Sequence, residues 1–280
     1  MTTDFERRLM RVIDQVHDHP AEDLNLDRLA RVAALSPYHF HRVFRGITGE
    51  TLAHMVRRVR MERAATWLTF GTLPIAEIAQ AVGYPNVASF TRVFGEMYGL
   101  PPGAYRERGT HRPQLLNLRQ GEKHMTRPVE IRTEPARRLA GILHRGPYQE
   151  LTLAINQLFG TLAARNLMDQ NQGMACVFHD DPHAVQSPEL RSHCGVIVNA
   201  EFPVEAPLEE LNLPGGRYAV MLHKGPYSGL SEAYDELFSV WLPSSGQEPG
   251  EVPLFETYLN SAQDTPPDQL ETEIHLKLKD

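Results

Sequence analysis

Apolar side chains recur at intervals of three and four through the first hundred residues. Phe5, Leu9, Val12, Ile13 and Val16 form one face of a helix over residues 5–19, which Pro20 closes. Leu26, Leu29, Val32 and Ala33 mark a second helix. A turn containing Ser36-Pro37 leads into a third, with Phe40, Val43 and Phe44 inward and Gly46 and Gly49 at its end. Pro at a first helical position suits that start. A longer pattern through Leu52, Met55, Val56, Val59, Ala64 and Leu68 runs to Gly71.

The pattern then repeats. Leu73, Ile75, Ile78, Ala79 and Val82 match Leu24, Leu26, Leu29, Ala30 and Ala33 at an offset of 49. Phe90, Arg92, Val93, Phe94 and Gly99 match Phe40, Arg42, Val43, Phe44 and Gly49 at an offset of 50, with one residue inserted in the turn between. This is a duplicated helix-turn-helix, a motif that lays its second helix in the major groove of DNA. The outward face of the first such helix carries Tyr38, His41, Arg42 and Arg45; that of the second carries Val87, Ala88, Thr91 and Arg92. Arg42 and Arg92 are the strongest candidates for contact with guanine or phosphate, whereas Val87 and Ala88 can only meet a thymine methyl group. The first turn has Ala34 where the second has Gly83, so a different turn geometry is expected there.

Residues 109–128 are polar and broken by Gly109, Pro113, Gly121 and Pro128, which places a linker at 109–127 between domains 1–108 and 128–280. Beyond it, strand-like runs occupy 129–132, 138–144, 175–178, 195–198, 217–223, 254–259 and 273–278, with helical segments near 149–166 and 228–242. A second duplication appears here, at an offset of 79. Leu143-His144-Arg145-Gly146-Pro147-Tyr148 matches Leu222-His223-Lys224-Gly225-Pro226-Tyr227. The expected fold is therefore an all-α N-terminal domain with two helix-turn-helix units, then an α+β domain. The latter comprises duplicated β-α-β-β units forming an antiparallel sheet with two helices, and a cleft along the pseudo-dyad.

Alternation within 254–259 puts Leu254, Glu256 and Tyr258 on one face and Phe255 and Thr257 on the other. A carboxylate between an apolar residue and a tyrosine either faces solvent or forms the charged centre of an aromatic pocket.

Composition narrows the class. Of 280 residues, 41% are hydrophobic and 22% charged, which excludes a disordered or fibrous chain. No apolar run approaches the ~18 residues of a membrane span, and no membrane partner is expected. The opening residues are polar and only Cys176 and Cys194 are present, so a reduced, cytoplasmic protein is expected. The net charge of −7 conceals +5 over residues 1–127 and −12 over 128–280, and 17 of the 18 cations in the first part are arginine. A basic part joined to an acidic one suits a nucleic-acid reader coupled to a second module, or simply two differently solvated surfaces.

Residues 5–108 resemble the AraC/XylS transcriptional regulators. The likeness is densest through Ile78-Ala79, Val82-Gly83-Tyr84, Ser89-Phe90-Thr91-Arg92-Val93-Phe94 and Gly99-Leu100-Pro101-Pro102-Gly103-Ala104-Tyr105-Arg106. It implies seven helices and two recognition helices entering adjacent major grooves of double-stranded DNA. It also implies base-reading positions at Tyr38, His41, Arg42, Val87, Ala88 and Arg92. The apolar Val87 and Ala88 depart from the polar residues often found there.

Residues 128–280 resemble the GyrI-like small-molecule-binding domain. The likeness lies in the two Gly-Pro-Tyr turns, Asp181-Pro182, Pro188-Glu189-Leu190-Arg191, Gly215-Gly216-Arg217-Tyr218-Ala219 and Pro253 with Glu256-Thr257-Tyr258. It implies that Glu256 sits among aromatic rings and binds lipophilic cations, with Tyr148, Tyr227, Tyr258 and Trp241 around it.

The remaining candidates read as structure. His179-Asp180-Asp181-Pro182-His183 reads as a turn rather than a metal site, His144 and His223 as structural strand residues, and the two cysteines as packed thiols. No phosphate loop, nucleophile elbow or zinc-protease motif occurs, and no cofactor, metal or catalytic residue is expected. The reading is a transcriptional regulator whose C-terminal domain binds a small lipophilic or cationic effector, with RNA polymerase as a further partner. The alternatives are a hydrolase of reactive small molecules, with Glu256 and a tyrosine as acid and base, or a module that sequesters drugs or toxins.

Overall fold

The computed structural model describes residues 4–110 and 125–280, the side chains of 4–6 excepted. The side chain of Phe5 and most of the expected linker, 111–124, lie outside the described residues. By contacts the chain divides into two compact units, Met1–Pro37 with Thr48–Gly121, and Tyr38–Ile47 with Glu122–Asp280.

Seven helices precede residue 110: α1 (Asp4–Asp18), α2 (Leu26–Val32), α3 (Pro37–Thr48), α4 (Leu52–Phe70), α5 (Ile75–Ala81), α6 (Val87–Tyr98) and α7 (Pro102–Arg108). Side-chain oxygens of Asn25, Thr51 and Asn86 accept backbone N–H bonds at the starts of α2, α4 and α6, satisfying donors that a helix start leaves open. In the first unit α4, α5, α6 and α7 close over Met61, Leu68, Ile78, Phe90 and Phe94. The Phe94 ring stacks on Tyr98 at 4.7 Å and meets Tyr105 edge-on at 5.2 Å. No helix among the described residues is long and apolar enough to cross a membrane.

The two helix-turn-helix turns share one geometry, against the expectation raised by Ala34. Ala34 adopts φ 54° and Gly83 φ 83°, both left-handed. Each turn also carries the same pair of backbone bonds, Ala34 to Arg31 and Leu35 to Ala30 in one, Gly83 to Gln80 and Tyr84 to Ala79 in the other. The duplicated backbone imposes the conformation, and Ala34 adopts it at a steric cost that glycine avoids.

The second unit is built on one antiparallel sheet of eight strands: β1 (Val129–Glu134), β2 (Arg137–Arg145), β3 (Met174–Phe178), β4 (Arg191–Val198), β5 (Glu209–Leu213), β6 (Gly216–Lys224), β7 (Leu254–Tyr258) and β8 (Glu271–Lys277). Their order is β1-β6-β8-β7-β3-β4-β2-β5. The β-α-β-β core of each half is as the duplication implied, with α8 (Leu151–Ala164) in the first half. The second half has α9 (Leu230–Glu236), a π-helical turn at Leu237–Trp241 and α10 (Leu242–Ser245). Each half gains a strand ahead of that core, and the added strands exchange sides: β1 pairs with β6 and β5 with β2. The pseudo-dyad therefore falls between β3 and β7, the strand pair that carries Cys176 opposite Glu256.

Candidate functional site

Strand β7 resolves the alternatives for Glu256. Its pleat sends Thr257 to one face, where the hydroxyl lies 2.9 Å from His275 Nε2, and Glu256 to the other, where the side chain is 2% exposed. A carboxylate removed from water needs donors in place of the lost solvent. Two phenols supply them: Tyr234 donates to Oε1 at 2.6 Å and Tyr258 to Oε2 at 2.8 Å. Burial pushes the Glu256 pKa above the usual carboxylate range, while the two tyrosine bonds and the positive charge of Arg42 restrain the rise. The same burial, with the carboxylate adding to it, pushes the Tyr234 phenol up.

The expected aromatic neighbours divide. Tyr258 bonds Glu256 directly, and Tyr227 meets the Tyr258 ring edge-on at 5.6 Å from a position 39% exposed at the rim. Tyr148 sits at the edge of Phe178, 5.0 Å between ring centres, and donates to the Asp180 carbonyl at 2.8 Å. Trp241 lies on the π turn, half-buried, and is not among the residues bonded to Glu256. Tyr234 was not anticipated. Its signal was the stripe Ala233, Tyr234, Leu237 and Phe238, a tyrosine in an otherwise apolar helix face.

The outward face of α3 is not exposed as its apolar spacing implied: His41 is buried and Tyr38, Arg42 and Arg45 are half-buried, because they bond to groups of the same unit. The Tyr38 hydroxyl accepts from the Leu254 N–H at 3.3 Å, and His39 Nε2 lies 3.1 Å from the Val252 carbonyl. His41 Nδ1 lies 2.8 Å from Asp181 Oδ2, both side chains buried. Arg42 Nη2 donates to the Asp180 carbonyl at 3.2 Å, and Arg45 Nη1 to Asp235 Oδ1 at 3.3 Å. The Arg42 guanidinium rests over three rings: its own helix's Tyr38 at 4.9 Å, Tyr234 at 5.2 Å and Phe238 at 5.8 Å. Burial alone would raise the Asp181 pKa, but the bond to His41 and the charge of Arg42 win and hold it at about 2.

Helix α6, the duplicate of α3, is differently placed. Val87, Ala88 and Arg92 are exposed and Thr91 half-buried, and among the described residues Arg92 pairs with Glu96 alone, one turn along, at 2.6 Å.

The other candidates are structural in this fold. His144 and His223 close equivalent turns, each with Nε2 3.1 Å from the carbonyl of its own Pro147 or Pro226. Cys176 and Cys194 are buried free thiols facing one another in register on β3 and β4. In the 179–183 turn, Asp180 bonds Arg191 through both oxygens and Asp181 caps the His183 N–H at 2.9 Å. Among the described residues no group of three or more His, Cys, Asp or Glu is arranged to hold a metal.

Residues 127–279 match the family of GyrI-like small molecule binding domains, and residues 29–108 a helix-turn-helix domain family. Over 102 residues the chain is 32% identical to the uncharacterized HTH-type transcriptional regulator YbfP of Bacillus subtilis, covering 36% of this chain and 35% of that one. It is 36% identical over 101 residues to the RCS-specific HTH-type transcriptional activator RclR of Escherichia coli, covering 36% of each. It is 33% identical over 97 residues to the regulatory protein SoxS of Salmonella typhimurium, covering 35% of this chain and 91% of SoxS. The chain thus spans about a third of the length of YbfP and RclR, and nearly all of SoxS.

Proposed function

The chain belongs to the AraC/XylS family of transcriptional regulators and carries a GyrI-like small-molecule-binding domain, and from that premise we propose that it is a one-component regulator gated by a small lipophilic cation. In this reading α3 and α6 enter adjacent major grooves of one DNA duplex, and the Glu256 pocket takes the effector. Loading the pocket alters DNA affinity or the contact with RNA polymerase, in the cytoplasm. One observation carries the effector half: a carboxylate 2% exposed, bonded to two phenols and bordered by rings. A desolvated anion flanked by ring faces is complementary to an organic cation, for which each ring contributes ~0.5–2 kcal/mol.

The enzymatic alternative casts Glu256 as base and a tyrosine as acid. The geometry favours anchoring, because both carboxylate oxygens already accept phenol protons and burial pushes those phenols further from ionising. A sequestering module would bind the same cation without changing DNA affinity. The test is a thermal-shift screen of the full chain with lipophilic cations, beside Glu256→Gln. Stabilisation of the wild type alone, following RT ln(1 + [L]/Kd), with the compound recovered intact, supports the reading. Equal stabilisation of the variant, or a chemically altered compound, overturns it.

A further inference from the structure

A cation already lies beside the Glu256–Tyr234 pair, and it comes from the chain itself. Arg42 projects from α3 so that its guanidinium lies 5.2 Å from the centre of the Tyr234 ring, and the hydroxyl of that same ring is bonded to Glu256 at 2.6 Å. Built-in cation and buried carboxylate thus share one side chain. Tyr38 and Phe238 complete a three-ring cage around the guanidinium.

The fit is incomplete. A guanidinium carries five N–H donors in a planar fork. Among the described residues Arg42 makes one hydrogen bond, to the Asp180 carbonyl, and its Nε is buried with no partner. It forms no ion pair with Glu256 among those residues; its tether to α3 leaves the fork over the rings. Each Glu256 oxygen in turn accepts one phenol proton, though a carboxylate oxygen can accept two bonds. Donors without acceptors and acceptors without donors therefore face one cage. A free planar cation can supply to Glu256 the bonds that the tethered Arg42 does not make.

We infer that the Glu256 pocket selects planar, delocalised cations of the aryl-guanidinium or aryl-amidinium class, and that such a ligand displaces Arg42 and thereby releases the outward face of α3. This rests on the proposed reading of the pocket as a cation site and names its ligand class and its regulation. A planar guanidinium is weakly hydrated, stacks on rings and meets a carboxylate with two parallel bonds, whereas an ammonium is a compact, strongly hydrated point charge. The regulatory half follows from what else that helix face does. Tyr38, His41 and Arg45 are held with Arg42 by Leu254, Asp181 and Asp235. While Arg42 occupies the cage, the α3 residues that resemblance assigns to base reading, Tyr38, His41 and Arg42, are committed elsewhere. The pocket and the DNA compete for one arginine.

The experiment uses the full-length chain with phenylguanidinium and its neutral isostere phenylurea as probes. Titration calorimetry on the wild type, Arg42→Ala and Glu256→Gln is combined with hydrogen exchange of the wild type at residues 38–47. The expected result is that phenylguanidinium binds and phenylurea does not. Arg42→Ala should bind it roughly tenfold tighter than the wild type, having no internal cation to displace, and Glu256→Gln should not bind it. Saturation should speed exchange at 38–47 in the wild type, a loosening that a ligand merely filling an empty cavity would not cause. Equal affinity of wild type and Arg42→Ala, or unchanged or slower exchange at 38–47, overturns the displacement while leaving Glu256 as a cation site. No binding to any form, or binding that survives Glu256→Gln, overturns the cation-site reading itself. The exchange measurement needs no variant, so it decides even if Arg42→Ala folds poorly.

Discussion

Glu256 is the residue on which the account turns, and its environment makes its chemistry specific. Buried, it persists because Tyr234 and Tyr258 replace the lost water. Glu256→Gln keeps the shape and removes the charge. It should leave the unfolding midpoint within a few degrees of wild type, by calorimetry, and abolish cation binding. Alternation along one strand was enough to place this carboxylate with Tyr258; whether that face met water or rings depended on Tyr234, a helix residue that strand periodicity does not reach. Ala34 offers a second test. It holds φ 54° with a side chain that disfavours it, so Ala34→Gly should stabilise the protein by about 1 kcal/mol. Gly83→Ala should destabilise it, since the added methyl would lie 3.2 Å from the Ala21 backbone, beside the Arg60 guanidinium, on a backbone held at φ 83°. Two histidines set the acid limit. Burial, aided by the charge of Arg42, holds His39 down at about 3, and burial with His193 and Arg191 holds His179 at about 4. Between those values and the unfolded value near 6.5 the unfolded chain binds more protons, so stability is full above that window and falls as pH drops through it. The slope is up to about 1.4 kcal/mol per pH unit for His39. Thermal unfolding followed from about pH 7.5 to pH 5 checks this through a falling midpoint.

Duplicated elements have diverged in what they touch rather than in how they are built. Helices α3 and α6 derive from the same repeat, with Phe40, Val43 and Phe44 buried in one as Phe90, Val93 and Phe94 are in the other. Both inward faces were legible from apolar spacing. The outward face of α3 was legible only as polar, because the donors that suit guanine and phosphate suit Asp180 and Asp181 equally well. With Arg92 exposed on α6, Arg92→Ala should weaken DNA binding by about 1–3 kcal/mol if it reads a base, or lower the salt slope by about one if it meets a phosphate. Anisotropy titrations across a range of salt separate these outcomes. In the sheet, β5 escaped the pattern because Glu209-Glu210-Leu211-Asn212-Leu213 is an edge strand with one partner, β2, and little buried surface. The π turn at Leu237–Trp241 has a local cause in Pro243. Its ring crowds the carbonyl four residues back, and the Leu242 N–H bonds instead to Leu237, five back. That turn carries Phe238, one wall of the Arg42 cage.

Across the whole molecule, opposite charges suit opposite ligands: the basic part, +5, a polyanion, and the acidic part, −12, a cation. If the effector changes DNA affinity, DNA must change effector affinity by the same factor, so the two ligands can be titrated in either order with one coupling constant. The two-part organisation was legible because each part is duplicated within itself, and a repeat is a stronger signal than any single motif. The engagement of Arg42 by the Glu256 pocket was not, since it joins residues 214 positions apart through side chains that local periodicity treats as solvent-facing. In the proposed reading an ionised Glu256 binds a cation. The most direct test is the affinity of phenylguanidinium, which stays charged throughout the range, measured on the full chain between about pH 4 and pH 8. With the Glu256 pKa raised by burial, affinity should be constant at the alkaline end. It should fall by up to about tenfold per pH unit once the carboxyl protonates, whereas Glu256→Gln should show no binding at any pH. A wild-type affinity that is the same across the whole range would contradict the account.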